Sequence, residues 1–260
     1  MRATERDESR SMISRVAAVL NAFGPRDQEL GVSEIARRAG LAKSTVSRIV
    51  HELIEHQFLE PGEGGVRLGL RLFELGESAT RPRDLRKLAL ASMSDLRNAT
   101  SRTVHLAVLE GTEVVYIEIL PARGTPPLPS RVGGRMPAYA TGVGKALLAW
   151  SDPAIVDEAI QHGLRQVGPG TITEPDRLRR ELTRIRSAGI AYDREESGAG
   201  ITCAATAVRR TDGQPLVALS AAGWSREFDM RRVGLAVQTA AQALTREIAK
   251  RPGLHLTSTH

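Results

Sequence analysis

The sequence predicts a mixed α+β chain, and three observations carry that prediction. Apolar residues recur at helical spacing from Ile13 to Leu53. β-branched runs then cluster on both sides of a second helical stretch. Apolar residues make up 41% of 260 residues, enough to fill one large core or two ordinary ones and to exclude a globally disordered chain.

The first helix follows a polar leader, about residues 1–9. It carries Ile13, Val16, Leu20 and Phe23, and Gly24-Pro25 stops it. A second short helix is expected to begin at an N-capping Ser33 and to bury Ile35, Ala36 and Ala39. Gly40 falls where a left-handed C-terminal residue is wanted. The third helix runs from about Lys43 to His56 with Val46, Ile49, Val50 and Leu53 on its inner face; Ala42 is a poor cap for it. Ser44, Thr45, Ser47, Arg48 and His51 then point outward. FLEPGEGGVRLG reads as a hairpin, with Phe58–Glu60 and Val66–Leu68 around a Pro/Gly turn. Three helices and a ribbon make a winged helix-turn-helix. LRLFELGESAT follows as a connecting helix with Leu72, Leu75 and Ala79 on one face, and Arg81-Pro82 marks a boundary.

The second half starts with a helix over about 83–99 and two strands, HLAVLEG and EVVYIEIL. The loop PARGTPPLPSRVGGRMP is expected to be irregular and exposed. Helices follow at about 142–150, 153–162 and 175–188, then strands in GIAYD, TCAATAV and PLVALSAAG, then a helix at about 229–250. Strands at both ends with helices between imply an antiparallel sheet flanked by helices. The organisation expected is residues 1–69 as the winged helix-turn-helix, 70–81 as a linker helix, 82–252 as an effector-binding domain and 253–260 as a tail.

Charge bears on function only through its placement. Residues 1–80 hold 11 Lys and Arg against 12 Asp and Glu, net −1; residues 81–260 hold 25 against 18, net +7. The positive charge of the first unit is local: Arg37, Arg38, Lys43 and Arg48 occur with no acid between Glu34 and Glu52. In a helix-turn-helix the second helix enters the major groove and the first crosses the phosphate backbone. Lys43, Ser44, Thr45, Ser47 and Arg48 suit that work, because hydroxyls and Lys hold phosphate and Arg forks onto guanine. Arg38 and, on the wing, Arg67 join them as expected DNA contacts. The bland alternative is a solvated helix face.

ATGVGKALLAW resembles a phosphate loop but fails as one: Tyr139 stands where glycine is needed and Ala146 where Ser or Thr is needed. The residues alone leave two readings of this turn, a small-anion site at a helix start or glycines used for packing. No HExxH, GxSxG or GxGxxG is convincingly placed, and His51 and His56 lie off the spacing for a helical metal pair. A Cys203 nucleophile would need a base that the sequence does not place beside it. No enzyme, cofactor or metal is expected. MRATERDESRS is no secretory signal, no apolar run reaches the roughly 20 residues of a membrane span, and Cys203 is the single cysteine. A soluble, cytoplasmic protein is expected.

Six stretches in order then resemble the IclR family of transcriptional regulators over nearly the whole chain. They are SRVAAVLNAF, VSEIARRAGLAKSTVSRIVHEL, VRLGLRLFELG, HLAVLEGTEVVYIE with GGRMPAYATGVGKALLA, GIAYDREESGAGITCAATAV, and ALSAAG. The resemblance implies a repressor or activator whose binding to a double-stranded operator responds to a small organic acid. Carried over by motif, Gly142, Val143 and Ile201 would offer backbone N–H groups to its carboxylate; Asp193, Cys203 and Ser220 would offer side chains. Each has a plainer role open to it: Cys203 as a small buried hydrophobe, Asp193 capping the turn into Arg194, Ser220 bonding its neighbour strand. Thr206 replaces the family's usual proline, and Ala222 a polar residue found in some relatives, which implies a different or less polar effector. Homodimers joined through the DNA-binding domains and linker helix, or a dimer of such dimers, would read a pseudo-palindrome. The alternative is a metabolite-binding or enzymatic domain fused to a helix-turn-helix used for protein assembly.

Overall fold

The computed structural model describes residues 11–25, 27–210 and 212–250. The leader at 1–9 and the tail at 253–260 lie outside them. The chain separates into two compact units after Thr80.

In the first unit, α1 (Met12–Asn21) begins at Ser11, whose hydroxyl accepts the Ser14 N–H at 3.2 Å. Its inner stripe differs from the expected one. Val19 and Ala22 are buried, Val16, Leu20 and Phe23 flank them, and Ile13 is 82% exposed. Helix α2 (Val32–Ala39) buries Ile35, Ala36 and Ala39 and ends at Gly40, φ +63°. Ser33 is not its cap: Gly31 holds that position and makes no side-chain capping bond. Helix α3 (Lys43–Glu55) buries Val46, Ile49, Val50 and Leu53. The wing pairs β1 (Leu59–Pro61) antiparallel with β2 (Val66–Leu68), one residue later on its first side than expected. A bridge from Leu30 to Val66 adds a third segment. Gly65 permits it, since a Cβ there would strike the Leu30 carbonyl. Helix α4 (Leu70–Ser78) buries no residue.

Helix α5 (Thr80–Thr100) opens the second unit. Pro82 therefore lies inside its first turn, where a missing N–H is tolerated, rather than at a break. The sheet is six-stranded and antiparallel, in the order β5 (Arg135–Pro137), β4 (Glu113–Leu120), β3 (Thr103–Glu110), β8 (Pro215–Trp224), β7 (Ile201–Arg209), β6 (Ala191–Arg194). One face packs on α5 and the C-terminal α9 (Met230–Ala249) through Val104, Leu106, Leu219 and Ala221. The other receives α6 (Gly142–Leu148), with α7 (Pro153–Gln161) and α8 (Pro175–Ala188) in the same core. With both faces covered, the strands read as apolar runs rather than as alternation. The proline-rich loop is irregular, as expected, but not simply exposed. Pro126, Gly134 and Met136 are buried, and its last residues form β5.

Candidate functional site

On α3, Lys43, Ser44, Ser47 and Arg48 are exposed and Thr45 is half-buried. The buried Val46–Leu53 face fixes which way they point. Ala42 makes no side-chain capping bond at the start of α3. Lys43 and Arg48 form no ion pair with a described residue. Arg38 behaves differently. Its guanidinium pairs with Asp27, lies 2.7 Å from Glu34 and donates to the Ala22 carbonyl at 3.0 Å, clamping α2 to the end of α1. The Arg37 and Arg38 guanidinium groups together hold the Glu34 carboxyl down at about 2. Arg67 is likewise engaged, 3.1 Å from Glu60 across the hairpin. Their partners Asp27 and Glu60 lie 11 and 7 positions away, so nothing local in the sequence announces them.

In the second unit, Gly142, Val143, Asp193, Ile201, Cys203 and Ser220 all line one cavity, with about 30 Å³ of free space. Strand register explains the convergence. Ser220 stands opposite both His105 and Ala205, and Cys203 opposite both Asp193 and Ala222. The start of α6 closes one side. Thr141 caps it by accepting the Gly144 N–H at 3.0 Å, and a Cβ on Gly142 would strike the Cys203 sulfur. That glycine is needed for packing whatever else it does.

The structure adds residues that sequence reading missed. His105 is buried between Ser130, whose Oγ is 2.9 Å from Nε2, and Ser220, whose Oγ is 3.4 Å from Nδ1. Its ring lies 5.4 Å from that of Tyr116 at 59°. Burial pushes the imidazole down to about 4, so at neutral pH it is uncharged, one nitrogen donating and one accepting. The Asp193 carboxylate accepts N–H bonds from Glu196 at 2.7 Å and Ser197 at 3.4 Å, while burial pushes its pKa up. The plainer roles of Asp193 and Ser220 are thus real contacts, made at the wall of the cavity. Burial also raises the Cys203 thiol.

Behind this wall lies Lys145, fully buried. Its Nζ is 2.6 Å from Glu196, 3.5 Å from Glu181 and 2.8 Å from the Tyr192 carbonyl. A buried ammonium is tolerable only with such partners. The cluster therefore ties α6, α8 and the end of β6 together. The lysine of GVGK was the available signal, and only the fold supplies its acids.

The fold now has relatives to stand beside. The IclR helix-turn-helix domain model matches residues 12–62, and the model for the bacterial transcriptional regulator IclR C-terminal domain matches residues 77–248. The chain belongs to the IclR family. It is an IclR-type transcriptional regulator with a DNA-binding helix-turn-helix and a C-terminal effector-binding domain. In sequence it is similar to the HTH-type transcriptional regulator KdgR of Escherichia coli (strain K12), 31% identical over 251 residues, 95% of each chain. It is 34% identical over 244 residues to the HTH-type transcriptional regulator Rv1719 of Mycobacterium tuberculosis, covering 90% of this chain and 92% of that one. In structure the IclR-family chain is similar to an IclR homolog complexed with 4-hydroxybenzoate from Microbacterium hydrocarbonoxydans. That match has a TM-score of 0.85 and 34% identity, and covers 92% of this chain and all of that one. Among the described residues, no helix is long and apolar enough to cross a membrane.

Proposed function

We propose that this regulator reads its operator with Lys43, Ser44, Thr45, Ser47 and Arg48 of α3 and is switched by a small aromatic or other organic acid in the cavity at Ser220. The observation that carries the effector reading is convergence: six residues from α6, β6, β7 and β8 meet His105 and Ser130 at one enclosed space. An imidazole and two serine hydroxyls are donors suited to a carboxylate or phenol, and the similar Microbacterium protein is described in complex with 4-hydroxybenzoate. Entry requires movement. A cavity that admits benzene measures on the order of 150 Å³, well above the space here. Leu128–Ser130 of the proline-rich loop are a three-residue stretch of the lining that lies outside helices and strands, and they would swing out.

Arg38 and Arg67 stay in this reading as supports of the helix and wing, free to touch phosphate only by sharing or leaving their acids. Exposed Ile13, Leu70 and Phe73, from 64% to 82% exposed, give the first unit apolar surface for a second copy, in keeping with a homodimer on a two-fold operator. The division into a winged helix-turn-helix up to 69 and an effector-binding domain is kept with α4 as the connecting helix, which ends before α5 begins at Thr80 and not at 81. We read no catalysis: a raised Cys203 thiol beside a neutral His105 is the reverse of an activated nucleophile.

The test is binding to the DNA upstream of the coding sequence, across a salt series, with a panel of aromatic and aliphatic acids. Selective binding with a steep salt slope, shifted by one acid, supports both halves. Absence of selective binding at every salt concentration would return the assembly-module alternative to the front.

A further inference from the structure

Helix α8 carries more arginine than its packing uses. Arg179 pairs with Asp157 at 2.8 Å, Arg186 donates to the Ala149 carbonyl at 2.6 Å, and Arg184 holds Glu181 at 2.7 Å. Arg177 and Arg180, on the same stripe as Arg184, form no ion pair with a described residue. Nor does Arg194, which reaches across from β6 over the Tyr192 ring at 5.2 Å. These four side chains, Arg177, Arg180, Arg184 and Arg194, line one open cleft of about 350 Å³ with Glu181 and Glu196 at its inner wall.

The two acids do not neutralise it. Both oxygens of Glu196 lie 2.6 Å from Lys145, and Glu181 is shared between Lys145 and Arg184. Four guanidinium groups and one ammonium against two carboxylates leave three positive charges around a single concavity. A concavity with an excess of positive charge concentrates anions, and guanidinium forks match phosphate and carboxylate oxygens in pairs. The contrast within one helix matters most: Arg179 and Arg186, facing elsewhere on α8, find partners, Arg184 in the cleft is held by Glu181, and Arg177 and Arg180 in the cleft form no ion pair with a described residue.

We infer that this cleft is a second ligand site, separate from the inner cavity, that takes a small multivalent anion, a phosphorylated or polycarboxylate metabolite. A ligand with two or more anionic groups matches an excess of three positive charges spread over α8 and β6. Gly170 and Ile172 complete the lining. The site shares a wall with the inner cavity, because Glu196 faces the cleft while its N–H is bonded to Asp193 at 2.7 Å. The site itself does not depend on which effector the inner cavity takes.

Calorimetry on the full chain at low ionic strength, with pyrophosphate and with citrate as probes, tests this. Binding by at least one probe at millimolar concentration or below is expected, with acetate at equal ionic strength giving none. Arg177→Gln/Arg180→Gln and Arg194→Gln, checked for folding by thermal melting, should each weaken it by about tenfold or more. Pyrophosphate alone binding points to a phosphorylated ligand, and citrate alone to a polycarboxylate. No heat from either probe overturns the inference. So does unchanged binding in the arginine variants, or loss on Lys43→Gln/Arg48→Gln instead, which would put the anion on α3.

Discussion

Ser220 on β8 and His105 on β3 face each other across one strand pair, with Oγ 3.4 Å from Nδ1, and the opposite ring nitrogen meets Ser130 at 2.9 Å. A side chain from the sheet and one from the overlying loop thus hold the two sides of a single buried imidazole. Displacing Ser130 releases His105, and anything that bonds His105 from the cavity competes with both serines. Ser220→Ala and Ser130→Ala are therefore expected to shift the acid concentration that half-saturates the operator response, by about fivefold to tenfold for one hydrogen bond. Operator affinity without effector should stay within about twofold. Anisotropy titrations with and without acid measure both, and equal loss of the two would make these serines structural.

The same burial links His105 to acid stability. Its folded pKa of about 4 lies below the ordinary 6.5, so the unfolded chain takes up the proton first as pH falls. Stability from this residue is full above about pH 6.5 and is lost progressively down to about 4, roughly 3 kcal/mol in all. Asp193, whose pKa is raised by burial, works in the opposite sense at low pH. The difference between the wild type and His105→Asn isolates the histidine. Parallel urea-denaturation curves of the two from pH 7 to pH 4 would contradict it.

Lys145→Met leaves Glu196 and Glu181 without their ammonium. The second unit should lose about 3–5 kcal/mol, the usual result of breaking one side of a buried pair. Lys145→Met/Glu196→Gln should recover a good part of that. If the double variant melts no higher than the single, the cluster holds nothing together.

Arg48 and Arg38 are expected to part company. Arg48→Ala should cost about 1–3 kcal/mol of operator discrimination, seen as a reduced ratio of specific to non-specific binding. Arg38→Ala should lower the melting temperature of the first unit, because Asp27 and Glu34 lose their shared partner. The salt slope separates the two roles: an unchanged slope in Arg38→Ala fits a clamp, and a drop of about one marks a phosphate contact.

Helix α4 ends at Ala79 with ψ 101°, just before α5 begins at Thr80. If the connection transmits the effector's influence, two glycines inserted at Ala79 should leave operator binding in place and abolish its response to acid. A response that survives the insertion would reduce α4 to a tether.

Much of this protein was legible before folding. The apolar faces of α2 and α3 follow from a 3.6-residue period, Gly40 from its left-handed turn, and the strand positions from β-branched runs, because each depends on neighbours a few positions apart. The six cavity residues came from motif resemblance, and strand register explains why they meet. What the tertiary structure alone decided is long-range. Residue 105 reaches 220, Lys145 reaches Glu196, Arg38 reaches Asp27, and Arg194 joins a stripe on α8. A local pattern shows which way a side chain points along its own element. It cannot show which charge or hydroxyl from elsewhere will be waiting there, because burial and pairing belong to the packed chain.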